Sequence, residues 1–92
     1  MTVAALEVAE SFGLSEPELI HQALVSFLQE QRRQVLSERF EILARYRVDT
    51  LVELEAKIAR GDVAEHPGWE DLITVENLGA RLEKIDAFLR TV

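Results

Sequence analysis

Apolar residues recur along this chain at the three- and four-residue spacing of helical faces, and nowhere alternate as a half-buried strand requires. Four helical stretches account for nearly every residue. The first runs from about Thr2 to Phe12, turns Leu6, Ala9 and Val3 inward, and stops at Gly13, a residue suited to the left-handed position after a helix. The second opens with Ser15 as N-cap, Pro17 in the first turn and Glu18 completing a capping box. Leu19, Ile20, Ala23, Leu24, Phe27 and Leu28 form its apolar face, and the polar run Gln29 to Gln34 contains no Gly or Pro to break it. The helix is therefore expected to continue to about Tyr46, with a second apolar set at Val35, Leu36, Phe40, Leu43 and Tyr46. A helix over 15–46 is about 45 Å long, more than the diameter of a small globule. It should project from a compact body or run along a second subunit.

The third stretch begins at a second capping box, Thr50 with Glu53, buries Leu51, Leu54 and Ile58, and ends at Gly61. Pro67 suits the first turn of the fourth, where Glu70 and Asp71 favour the positive end of the helix dipole. Val75, Leu78, Leu82, Ile85, Leu89 and Val92 then follow at spacings of 3, 4, 3, 4 and 3, a heptad seam committed to another helix or to a second subunit. Gly79 inside that helix costs about 1 kcal/mol relative to Ala, which close approach by a neighbouring helix would justify. The expected fold is all-α, a single domain over residues 1–92, with one long helix at about 15–46. Residues 1–48 supply the N-terminal helices and 49–92 the packing and partner-binding region. A chain this short buries only about 60 to 65% of its unfolded surface, so oligomerisation is expected to complete the bundle.

Charge divides the chain further. Residues 1–31 hold five acids and no base, 32–47 come to +3, 48–76 to −6 and 77–92 to +1, for a net −7. Nucleic-acid affinity comes largely from neutralising phosphates, so DNA is a disfavoured partner and a basic protein a favoured one. With no cysteine there is no disulfide framework, thiolate nucleophile or zinc-finger spacing. Residues 1–31 lack the basic start of a secretory signal, and no apolar run approaches the roughly 20 residues of a membrane span. The expected compartment is the cytoplasm.

Little in the chain suggests catalysis. His21 and His66 are too far apart in sequence to hold a metal by themselves, and His66 beside Asp62, Glu65 and Glu70 fits a helix cap or solvated neighbour. Ser15 is already a cap, Ser11 flanks the same junction, and none of the four serines lies in a strained strand-to-helix turn. No catalytic, metal or cofactor site is expected. Arg32, Arg33, Arg39, Arg45 and Arg47 read as the solvated side of the long helix more readily than as a phosphate patch, since Phe40 and Tyr46 sit at core spacing. The sharpest candidate is the single Trp. Glu65, Trp69, Glu70, Asp71, Leu72, Ile73 and Glu76 place a large aromatic and two aliphatics in an acidic segment, a combination suited to a basic protein partner, although Trp69 could equally plug the core.

The run from Leu6 to Leu28, with Gly13-Leu14-Ser15 before Glu18-Leu19-Ile20 and Ala23-Leu24, resembles the two helices of ribbon-helix-helix antitoxins. Glu53 to Ile58, Gly61 and His66-Pro67-Gly68-Trp69-Glu70-Asp71-Leu72 resemble the C-terminal half of small bacterial, often cyanobacterial, antitoxin-like proteins. The resemblance implies a toxin-neutralising role in a type II toxin–antitoxin pair, with the acidic C-terminal helix covering a basic toxin. One departure concerns the DNA-reading strand that precedes the first helix in that family. Here only Met1 to Ala5 stand there, with no base, so the strand is missing or vestigial. The expected function is thus a non-enzymatic protein-binding module of antitoxin type. Two alternatives are a DNA-binding autorepressor using the first two helices, and a structural self-assembling protein whose seam makes only self-contacts.

Overall fold

A computed structural model describes residues 3–92 and shows four helices, with no strand among the described residues: α1 (Val3–Ser11), α2 (Glu16–Arg45), α3 (Leu51–Ala59) and α4 (Glu65–Thr91). The expected start at Thr2 lies outside the described residues. The long helix forms as its sequence predicts. Ser15 Oγ accepts from the Glu18 N–H at 3.2 Å and the Glu18 carboxylate accepts from the Ser15 N–H at 3.4 Å, closing the capping box. At α3 the Thr50 hydroxyl accepts from the Glu53 N–H at 3.1 Å, whereas the Glu53 carboxylate reaches past the cap to the Asp49 N–H.

The first three helices share one way of stopping. After each, a residue with positive φ turns the chain so that its own amide and the next one donate to carbonyls of the last turn, a Schellman motif. Gly13 and Gly61 take that position after α1 and α3, with φ of 68° and 77°. After α2 it falls to Arg47, with φ of 56°, and the Val48 N–H reaches the Leu43 carbonyl while Val48 itself is buried. A side chain in this conformation costs roughly 1 kcal/mol or more, the reason glycine usually sits there.

α4 runs back along α2, and α3 packs on the first half of α4. Tyr46 meets Asp71 at one end of the α2–α4 pair, and Arg32 Nε donates to Asp86 Oδ1 at 2.8 Å further along, which fixes an antiparallel register. The core lies in this three-helix region: Val35, Ile42, Leu43 and Val48 interlock with Leu54, Ile58, Leu72, Val75, Leu78 and Ile85. Both halves of the sequence thus share one core. The seam residues Val75, Leu78 and Ile85 are buried within the chain, Leu82 and Leu89 are half-buried against the same core, and Val92 is exposed.

Several expected core positions lie elsewhere. Phe40 is 72% exposed because the face toward α4 passes through Arg39, Ile42 and Leu43 instead. Val3, Leu6, Ile20, Leu24 and Phe27 are exposed, and Ala9 is the one buried residue of α1. Gly79 has open space where a Cβ would be, so no neighbouring helix explains it. The close approach occurs at Gly68, where a Cβ would stand 3.3 Å from Ile58 Cγ1. The molecule measures 60 × 20 × 18 Å because α1 and the start of α2 project beyond the three-helix region.

Candidate partner-binding surface

The start of α4 is held where α2, α3 and α4 meet. Gly68 lets this segment sit directly on Ile58 and Val63. Backbone geometry is non-helical at His66 and Pro67, so regular helix resumes at Gly68 and carries Trp69 in its first turn. The Tyr46 hydroxyl donates to Asp71 Oδ2, with Arg45 at 3.8 Å from the other carboxylate oxygen. Lys57 Nζ donates to the Tyr46 carbonyl at 2.9 Å, tying α3 into the same corner. Burial, the Asp71 hydrogen bond and that carboxylate's charge push the Tyr46 hydroxyl up to about 12.

The helical repeat then separates two faces. Leu72, Val75 and Leu78 point into the core, while Trp69, Ile73 and Glu76 share a stripe on the solvent side. Trp69 is 42% exposed and Ile73 55%. Glu65 and Glu76 are exposed, and neither carboxylate forms an intrachain hydrogen bond or ion pair among the described residues. Glu70 contacts His66 Nδ1 at 2.7 Å; its own backbone N–H and the imidazole hold the carboxyl below the usual range. His66 is thus a solvated neighbour of carboxylates.

Of the seven residues expected at a partner surface, five are exposed: Glu65, Trp69, Glu70, Ile73 and Glu76. Leu72 is a correction, since it is 4% exposed and sits in the chain's own core, about 100° round the helix from Ile73. Asp71 is half-buried and engaged with Tyr46 and Arg45, so it positions the surface from beneath. Ser15 caps α2 and the Ser11 hydroxyl donates to the Glu7 carbonyl, so both hydroxyls serve helix ends.

A second feature escaped the reading of the sequence. Near the end of α4, Phe27, Leu28, Ile85 and Phe88 floor an open notch of about 210 Å³, rimmed by Gln31, Arg81 and Lys84. Small-molecule pockets run to about 300–1,000 Å³, so this notch falls short of one. The available signal was a mismatch of lengths: the seam on α4 is too short to cover the whole apolar face of α2.

Fold and surface together define an elongated all-helical protein that presents one Trp-bearing acidic stripe and one apolar projecting end. No helix among the described residues is long and apolar enough to cross a membrane. The chain belongs to the family described as Uncharacterized protein MJ0235 family, whose model matches residues 1–92. No curated protein matches the chain, and no solved structure does.

Proposed function

We propose that this protein is a non-enzymatic binding module that neutralises a basic protein partner by covering it, in the manner of an antitoxin. The supporting observation is the solvent-facing stripe of Trp69, Ile73 and Glu76, in a segment without Lys or Arg from residue 61 to 80. Burying a large apolar side chain fully stabilises by about 1.5–3 kcal/mol, and much of that gain is still available to a partner at Trp69 and Ile73. Trp is also the residue type that most often dominates an interface. Glu65, Glu70 and Glu76 form a carboxylate rim that would speed encounter with a basic surface and make it salt-dependent. The roles divide accordingly. Trp69 and Ile73 anchor, the three glutamates steer, and Asp71 with Tyr46 holds the helix start in place.

Co-expression with the products of the neighbouring reading frames tests the proposal. Removing residues 62–92 would delete the α4 half of the core, so the informative variants are Trp69→Ala and Ile73→Ser. The expected result is a complex with a small basic protein that these substitutions weaken at least about thirtyfold, the effect of losing a contact worth 2 kcal/mol. Wild-type binding by the Trp69→Ala, Ile73→Ser double variant would overturn it, as would neighbouring frames that encode no small basic protein. The autorepressor alternative fares poorly on charge, because α1 and the exposed start of α2 carry acids and no base. Salt-dependent binding of the gene's upstream DNA by the purified chain would reinstate it.

A further inference from the structure

The face of α2 that α4 covers does not end where α4 does. Counting on from the Arg32–Asp86 contact, Val92 falls beside Ser26, yet the apolar line of α2 continues beyond it through Leu24 and Ile20, which are 46% and 43% exposed. α1 adds to the imbalance. Glu7, Glu10 and Ser11 share one side of it, and of its apolar residues Val3, Leu6 and Val8 are exposed while Ala9 is buried. An apolar face of this kind is normally packed on a neighbour. The totals agree. The chain exposes 6581 Å², about 1,200 Å² more than a compact protein of its mass, and its radius of gyration of 19.2 Å compares with about 12 Å for a compact chain of this length. A standard interface takes about 800 Å² from each partner, so one such contact accounts for most of the excess.

We propose that a second copy of this chain covers the projecting end, the two α2 helices crossing antiparallel about a two-fold axis near Ile20. The charges favour self-association over a foreign occupant. Each copy carries an acid-only end, with Glu7, Glu10, Glu16 and Glu18, beside the base-bearing end of α4, with Arg81, Lys84 and Arg90. A two-fold axis between them brings the acids of each copy to the bases of the other, as an isologous contact requires. The notch supplies the shape. Phe12 is 76% exposed in the turn before α2, flanked in sequence by Glu10 and Glu16. It precedes Ile20 by as many residues as Leu28, in the notch floor, follows it. Phe12 of each copy then enters the other's notch, and Glu10 and Glu16 meet Arg81 and Lys84 at its rim.

Sedimentation equilibrium and oxidative cross-linking of the full chain test this, independently of the Trp69 surface. The wild type is expected to be a dimer, and Leu24→Glu to weaken it at least about tenfold with helix content unchanged. Because the chain has no cysteine, Ile20→Cys should give a disulfide-linked dimer, while Val52→Cys, on the exposed side of α3, should not. Lys84→Glu should weaken the dimer, and adding Glu10→Lys should restore part of the loss. A wild-type monomer at high concentration, an undiminished dimer in both Leu24→Glu and Lys84→Glu, or no cross-link in Ile20→Cys would each overturn the proposal. Trp69→Ala leaves the dimer intact, so failure here is distinguishable from failure of partner binding.

Discussion

The two ends of α2 are written in similar residues and meet opposite fates. Around Val35, Ile42 and Leu43 its apolar side chains lie under α4 with α3 closing the corner; around Ile20, Leu24 and Phe27 the same kind of stripe faces water. Composition alone does not separate them. What differs is which part of the chain comes back to cover each, and α4, starting beside Tyr46 and running antiparallel, is long enough for only one. The covered end is packed and holds the Trp69 corner in place, whereas the bare end is the one proposed to meet a second copy of the chain.

Substitution at matched positions sharpens that contrast most. Leu43→Ala, at a side chain only 4% exposed beneath α4, should lower the unfolding free energy by about 2–5 kcal/mol in urea denaturation. Leu24→Ala, measured where the chain is monomeric, should cost less than about 1 kcal/mol. Equal losses at the two positions would mean that the ends do not differ as described.

A smaller effect belongs to the corner beneath Trp69. Tyr46→Phe should lose about 1 kcal/mol by removing the bond to Asp71. Its pH dependence is distinctive. The folded-state pKa is raised from 10 to about 12, so the folded chain holds this proton more tightly than the unfolded one. That stabilisation is fully present below pH 10 and disappears as pH rises through 12. Denaturation between pH 9 and 12 should show the decline in the wild type and a flatter curve in Tyr46→Phe.

Two minor adjustments should leave both ends working. Arg47→Gly relieves a left-handed side chain at the end of α2, offset by the greater freedom of glycine when unfolded, and should raise stability by up to about 1 kcal/mol. Arg39 Nε is enclosed without a hydrogen-bond partner, so Arg39→Met should be neutral or slightly stabilising in thermal unfolding.

Helix existence was legible throughout because caps, prolines and glycines are local chemistry: Ser15 with Glu18, Thr50, Gly13 and Gly61 act through neighbours within five residues. The end of α2, expected at about Tyr46, falls at Arg45, although its left-handed residue is an arginine that carries no turn signature. Facing was the weakest inference. Phe40 and Phe27 have the periodicity of core residues, but Phe40 lies off the face that α4 takes and Phe27 lies near the end of α4, and no local pattern around residues 20–40 records either. Trp69 and Ile73 were recognisable as a candidate surface because they stand in an acidic segment without Lys or Arg. Leu72 was assigned to the wrong side because it adjoins Ile73 in sequence, and adjacent helical residues point about 100° apart.

The unbroken length of α2 also acts as a ruler. A pair of chains joined near Ile20 would carry its two Trp69 corners at opposite extremes, about 80 Å apart at 1.5 Å per residue. Two small partners could dock there without touching each other. A single large partner would gain avidity from both corners only if its own sites were spread equally far.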